Sequence, residues 1–143
     1  MVQRNALAIE PWVKAFILTF LWITLFEDTF LFLMSWFAPD VWFRVFHSTA
    51  PTGFEITLLR RAGGQWAAFA LASAITLWRW RTDSVWLAVA AGVRFSDLFT
   101  DAAYVLSAPS LTTLGRVLLL PPPWLNFLAV VIMLRGYRQM RGR

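Results

Sequence analysis

ITLFEDTFLFL, residues 23–33, places two adjacent acids, Glu27 and Asp28, in the middle of a long apolar run. The run extends from about Trp12 to Phe37 and stops before Pro39, and about 20 apolar residues are enough for a helix to cross a bilayer. A charged group near the bilayer centre costs on the order of 3 kcal/mol, so such groups face the interior of a helix bundle and pair with opposite charges. The stretch therefore predicts a membrane helix whose two acids need partners on other helices.

The composition is typical of a membrane protein rather than of a soluble domain. Of the 143 residues, 59% are hydrophobic and 15% are charged, whereas soluble domains are about half apolar and about a quarter charged. The absence of cysteine excludes disulfides and thiol chemistry, and a single histidine excludes a multi-histidine metal site within one chain. The arginines behind the net charge of +5 lie at the ends of apolar runs, which favours anionic lipid over nucleic acid as their partner.

The apolar runs predict four membrane-spanning helices, at about residues 12–37, 56–78, 84–106 and 123–138. Residues 38–55 are amphipathic and aromatic, which predicts an interfacial loop or short helix. Three consecutive prolines at 121–123 cannot lie inside a regular helix but can begin one, so residues 117–120 are expected to form a separate half-helix. The predicted fold class is all-α, a four-helix integral membrane bundle forming a single transmembrane domain over residues 1–143.

The basic residues predict the orientation of this bundle. With an even number of spans, both termini and the turn after the second span lie on one side. That side carries Arg4, Lys14, Arg79, Arg81, Arg135, Arg138, Arg141 and Arg143. The other side carries Arg44, Arg60, Arg61 and Arg116. Because cytoplasmic loops hold the excess of basic residues, we expect both termini in the cytoplasm and the chain in the bacterial inner membrane.

Depth along the helices predicts which charges meet. With a helix rise of ~1.5 Å per residue, Arg94 on the third span lies level with Glu27 and Asp28, and Arg61 on the second lies level with Asp101. One face of the third span carries a stripe at i, i+3, i+7 and i+10: Arg94, Asp97, Asp101 and Tyr104. The predicted intramembrane charge network, to which no catalytic residue is assigned, consists of Glu27, Asp28, Arg60, Arg61, Arg94, Asp97 and Asp101. The first and third spans are expected side by side, with Arg60 or Arg61 at the outer end of the stripe.

Several other polar or small residues are candidates for smaller roles. His47 is expected to be solvated or interfacial, with axial ligation of a haem or chlorin as a remote alternative, and no metal site is predicted. Asn126 and Gln65 are expected to form interhelical hydrogen bonds. Gly63 and Gly64 predict a notch where a neighbouring helix approaches closely.

The segments RRAGGQWAAFALAS (60–73) and LAVAAGVRFSDLFTD (87–101) resemble small bacterial four-helix membrane proteins related to DoxX. Many of those proteins have an arginine opening a glycine-containing second helix, and a third helix with an arginine followed by an acid. The resemblance covers roughly residues 12–138 and implies a four-helix bundle, and many members of the group have no assigned reaction. The acid pair of the first span and the triple proline depart from that pattern, and no site residue is carried over.

Two functions fit these observations. The first is a multi-pass protein without catalysis of its own, an accessory or structural subunit of a bacterial photosynthetic or respiratory complex. Its partners would be membrane lipids and a membrane protein or second copy, and its aromatic surface would contact lipid, quinone, carotenoid or chlorin. The alternative is a binding protein or enzyme for an apolar ligand, such as a quinone, carotenoid or sterol-like lipid, that uses the Glu/Asp/Arg cluster. Arginines level with the acids argue against an ion conductor.

Overall fold

The structure, a computed structural model, describes residues 9–141. Over that range the chain forms six helices: α1 Pro11–Phe37, α2 Pro39–Phe46, α3 Gly53–Arg79, α4 Val85–Ser107, α5 Thr113–Leu119 and α6 Pro121–Arg141. The prediction of an all-α fold is confirmed. The four long helices α1, α3, α4 and α6 coincide with the apolar runs, and their ends differ from the expected positions by up to three residues. Arg4 and Arg143, which were counted in predicting the orientation, lie outside the described residues.

Prolines and a capping box set the helix boundaries. Pro11 and Pro39 stand at the first positions of α1 and α2, and the prolines at 121–123 form the first turn of α6. Proline is tolerated there because the first N–H groups of a helix have no intrahelical partner. At the start of α3, the Thr52 hydroxyl accepts from the Glu55 amide at 3.3 Å, and the Glu55 carboxylate accepts from the Thr52 amide at 2.6 Å.

The long helices form a ring. α1 packs along α3 and α4 packs along α6, and the two pairs meet where α1 contacts α6 and α3 contacts α4. Within residues 9–141, no Cα atom of α1 comes within 8 Å of a Cα atom of α4. The expectation that these two helices lie side by side is therefore wrong: they face each other across the diagonal of the ring. Depth arithmetic gives the level of a residue along its helix, but it does not give the order of the helices.

Contacts between side chains show which segments share an end of the bundle. The Glu10 carboxylate, just before α1, lies 2.8 Å from the Arg135 guanidinium of α6, and the Glu10 amide donates to Gln139 Oε1 at 3.2 Å. Trp80, in the turn after α3, is buried in the same apolar cluster as Val13 of α1. The beginning of α1, the end of α6 and the α3–α4 turn thus lie together, and α2 and α5 lie at the opposite end.

Many large apolar side chains face outward from the bundle, and several charged side chains face inward. Large apolar side chains point away from the bundle along its length; on α1 alone, those between 45% and 77% exposed include Trp22, Phe26, Phe30, Leu33 and Phe37. Arg94, Asp28 and Asp97 are buried instead. Two stretches, Pro11–Phe37 and Thr113–Arg141, the second made of α5 and α6, are long and apolar enough to cross a membrane.

Candidate ligand-binding cavity

Arg94 lies at the centre of a buried polar network. Its side chain is 3% exposed, and its Nη2 atom forms an ion pair with the Asp28 carboxylate of α1. Its Nη1 atom donates to Asp97 Oδ2 at 3.1 Å, one turn further along α4. Nη2 also approaches the Ser73 hydroxyl of α3 at 3.4 Å. The long arginine side chain therefore bridges the diagonal between α4 and α1, and two carboxylates share its charge.

Asn126 extends this network to the fourth long helix. Its Nδ2 atom donates to Asp97 Oδ2 at 3.2 Å and to Asp101 Oδ2 at 2.9 Å. The prediction that Asn126 forms interhelical hydrogen bonds is confirmed, and it uses both amide hydrogens to do so. Gln65, for which the same was predicted, is exposed on α3. Each of α1, α3, α4 and α6 contributes a polar side chain to the network.

The sequence did not reveal the groups that surround the guanidinium. The hydroxyls of Thr24 and Ser73 lie 3.3 Å apart and are buried. The rings of Phe20 and Phe69 flank Arg94, with 6.0 Å and 5.6 Å from Cζ to the ring centroids, a range in which a cation is attracted to an aromatic face. Hydroxyl and phenyl groups are ordinary within apolar runs, so only their burial beside a charge makes them recognisable.

Two of the predicted network members lie elsewhere. Arg60 and Arg61 are exposed on α3, and they take part in none of the ion pairs found within residues 9–141. The reason is the rotation of α3, which turns Leu59 and Gly63, one turn apart, inward and so carries the residues between them outward. The expected contact of Arg60 or Arg61 with Asp101 is therefore not formed, and the outer end of the stripe meets α6 instead.

His47 is buried, with 6% of its surface exposed, rather than solvated. Its Nδ1 atom lies 3.2 Å from the Pro109 carbonyl oxygen, which can only accept, so Nδ1 carries the hydrogen. Nε2 then accepts from the Tyr104 hydroxyl. Since both ring nitrogens are engaged, neither is free to serve as an axial ligand. Across residues 9–141, no group of three or more His, Cys, Asp or Glu side chains is placed to hold a metal ion.

A cavity of about 520 Å³ adjoins the Arg94 network, and all six helices contribute to its wall. Most of the wall is apolar, and its aromatic members are Phe16, Phe20, Phe30, Trp42, Phe46, Trp66, Phe69 and Tyr104. At the end closed by α2, the Trp42 ring packs against Trp66 and Phe46, with centroids 5.3 Å and 4.4 Å apart. The cavity therefore combines an aromatic wall with one polar cluster.

The cavity reaches the side of the bundle. Ile23, Glu27 and Phe30 of α1 line it and are exposed, as are Leu118 of α5 and Leu125 of α6. Gly136 of α6 lies close to Ile17 of α1 near the end that holds Glu10. The opening bordered by the exposed lining residues, between α1 and the α5–α6 segment, is called the lateral gap. Glu27, the acid left over once Asp28 binds Arg94, stands at the rim of this gap.

Comparison with known proteins leaves the site to be interpreted from its geometry. No protein-family model, curated protein or solved structure matches the chain.

Four carboxyl groups and one guanidinium line the cavity: Glu27, Asp28, Asp97, Asp101 and Arg94. Arg94 is shared by Asp28 and Asp97, so Glu27 and Asp101 have no basic partner within the described part of the chain. Such a wall can hold a ligand by apolar contact, by hydrogen bonds or by charge.

Proposed function

We propose that the chain is an integral membrane protein whose four long helices cross the bilayer. The two strongly apolar stretches, the outward-facing aromatic side chains and the inward-facing charges support this arrangement. α4 is less apolar than α1 because Arg94, Asp97 and Asp101 lie on it. These residues lie on its inward face, where a polar side chain has partners and does not meet lipid.

The same proposal places both termini in the cytoplasm of a bacterial inner membrane. Basic residues concentrate at the end of the bundle that holds the start of α1, the end of α6 and the α3–α4 turn: Lys14, Arg79, Arg81, Arg135, Arg138 and Arg141. The opposite end has fewer, with Arg44 on α2, Arg116 on α5 and Arg60 and Arg61 in the first third of α3. This asymmetry is the one expected when the basic end is cytoplasmic.

The function that the cavity supports best is the binding of a small amphiphilic molecule taken from the lipid phase. The single observation that carries it is the lateral cavity of about 520 Å³, whose aromatic wall surrounds one polar cluster. Ligand sites in proteins are commonly ~300–1,000 Å³ and mostly apolar, with a few convergent polar groups. A quinone, a carotenoid end group and a sterol-like lipid all satisfy this description in size and polarity.

Two alanines on α3 provide a matched test. Ala62 lines the cavity, whereas Ala68 is exposed and does not line it. Ala62→Trp should fill the cavity and lower the amount of bound amphiphile found by solvent extraction and mass spectrometry of the purified protein. Ala68→Trp should leave that amount unchanged. Equal ligand content in the two folded variants would contradict the proposal.

An accessory-subunit role is the second candidate, and the exposed aromatic stripe of α1 favours it. Trp22, Phe26, Phe30, Leu33 and Phe37 follow one another at helical spacing and are all exposed. A surface of this kind suits another membrane helix as well as lipid. Mild extraction followed by native mass spectrometry should give a particle larger than one chain, and a solitary monomer would contradict this role.

A further inference from the structure

We propose that the cavity binds an amphiphilic cation, a quaternary ammonium or protonated amine with an apolar tail, whose charge Glu27 and Asp101 balance. This inference rests on the proposed binding function and specifies the class of its ligand. Four carboxyl groups against one guanidinium leave a surplus of three negative charges when all are ionised. In a low-dielectric interior such a surplus is balanced by protons or by a cation.

Among the described lining residues, Arg94 is the only basic one, and its charge is already paired. Arg94 is in contact with Asp28, Asp97 and the Ser73 hydroxyl. The centroids of two aromatic rings, Phe20 and Phe69, also lie within 6.0 Å of its Cζ atom. Within the part of the chain that the structure describes, an anionic amphiphile such as a fatty acid would find no free cation in the wall and would meet repulsion from the carboxylates. Charge complementarity therefore favours a cationic ligand over an anionic one.

The wall also suits the organic part of such a ligand, independently of its acids. Trp42, Phe46 and Trp66 form a packed aromatic group that borders the cavity. Aromatic faces attract quaternary ammonium groups, and the attraction increases when the site excludes water. An alkyl or aryl tail would extend through the lateral gap, where Ile23 and Leu125 are exposed towards lipid.

Glu27 and Asp101, the proposed counterions of the ligand, lie at different depths in the cavity. Together they define a path for the ligand from the membrane into the cavity. Glu27 is exposed at the rim and forms no ion pair within residues 9–141. Asp101 is partly buried, and one of its oxygens accepts from Asn126 at 2.9 Å. A cation arriving from the membrane would meet Glu27 first and would then lie between the rim and the Asp101 side of the wall.

The test uses a charged and a neutral probe of the same shape. Phenylbutyltrimethylammonium cannot lose its charge, and the hydrocarbon in which carbon replaces its nitrogen is the neutral isostere. Binding of each to the purified full-length protein is measured in a neutral maltoside detergent. The cation should bind at least about tenfold more tightly than the isostere, and Glu27→Gln should remove that advantage. Asp101→Asn, which can keep the hydrogen bond to Asn126, should also weaken binding of the cation.

Asp40→Asn is the matched control, because Asp40 is an exposed acid on α2 that does not line the cavity. This substitution should leave the binding of both probes unchanged. Equal binding of the two probes, or retention of the cation by Glu27→Gln, would overturn the inference while leaving the binding function intact. A neutral ligand with carbonyl acceptors would tolerate Glu27→Gln, since the glutamine amide can donate the hydrogen bond that a protonated Glu27 carboxyl would donate. Equal ligand content in the Ala62→Trp and Ala68→Trp variants would instead remove the proposed function itself.

Discussion

Arg94 of α4 and Asp28 of α1 form a buried ion pair across the diagonal of the helix ring. The two backbones do not touch there, so the contact depends on the reach of the arginine side chain. A pair of neighbouring helices can be held by apolar packing alone, whereas a diagonal pair of this bundle is joined through charge. The ion pair therefore links two helices whose backbones do not touch, and it also forms part of the cavity wall.

Removal of Arg94 should destabilise the fold strongly. Arg94→Met leaves the buried Asp28 and Asp97 carboxylates without their cation, and breaking a buried pair in this way costs about 3–5 kcal/mol. Arg61→Met is the matched control, because Arg61 is exposed, and its effect should stay within about 0.5 kcal/mol. Unfolding in mixed micelles, followed by circular dichroism, measures both free energies. Equal stability of the two variants would show that the network contributes nothing to folding.

The position of Arg94 shows how far the sequence could predict the site. A charged residue inside an apolar run must turn inward, and the helix rise sets its level, so pairing with Glu27 or Asp28 could be predicted from spacing alone. Which of the two acids pairs with Arg94 could not be predicted, because adjacent residues on a helix differ by about 100° in direction. The structure selects Asp28 and leaves Glu27 at the cavity rim.

The two adjacent glycines of α3 should respond oppositely to alanine. A Cβ atom at Gly63 would overlap the buried Ser35 side chain of α1 and lie 2.9 Å from Trp36 Cδ1, whereas one at Gly64 would have nothing within 4 Å. Gly63→Ala should therefore force α1 and α3 apart and cost about 1–3 kcal/mol. Gly64→Ala should stabilise the helix by about 0.5–1 kcal/mol. Thermal unfolding in detergent measures the difference, and a gain in stability for Gly63→Ala would contradict this packing.

His47 and Tyr104 should be energetically coupled. The Tyr104 hydroxyl donates to His47 Nε2, and His47 Nδ1 donates to the Pro109 carbonyl, so the pair ties the end of α2 to the loop after α4. A double-mutant cycle of His47→Phe and Tyr104→Phe should give a coupling free energy of about 0.5–3 kcal/mol. Additive effects on the free energy of unfolding would show that the two side chains act independently.

The roles of His47 and of the α3 arginines could not be predicted because they depend on contacts between distant segments. The apolar runs and prolines predict where helices begin and end, since these depend on nearby residues. His47 reaches Pro109, 62 residues away, only after α2 and α5 have closed one end of the bundle. Arg60 and Arg61 turn outward because the α1–α3 contact at Gly63 sets the rotation of α3.

Single-cysteine labelling should show the two ends of α3 on opposite sides of the membrane. The chain has no cysteine, so one introduced thiol reports one position. Thr49 and Thr82 are exposed and flank the 27 residues of α3, a helix of about 40 Å at ~1.5 Å per residue. In intact spheroplasts, a membrane-impermeant maleimide should label Thr49→Cys, and Thr82→Cys should react only after permeabilisation, because the proposed orientation places the basic end in the cytoplasm. The reverse pattern would invert the orientation, and labelling of both without permeabilisation would contradict a spanning α3.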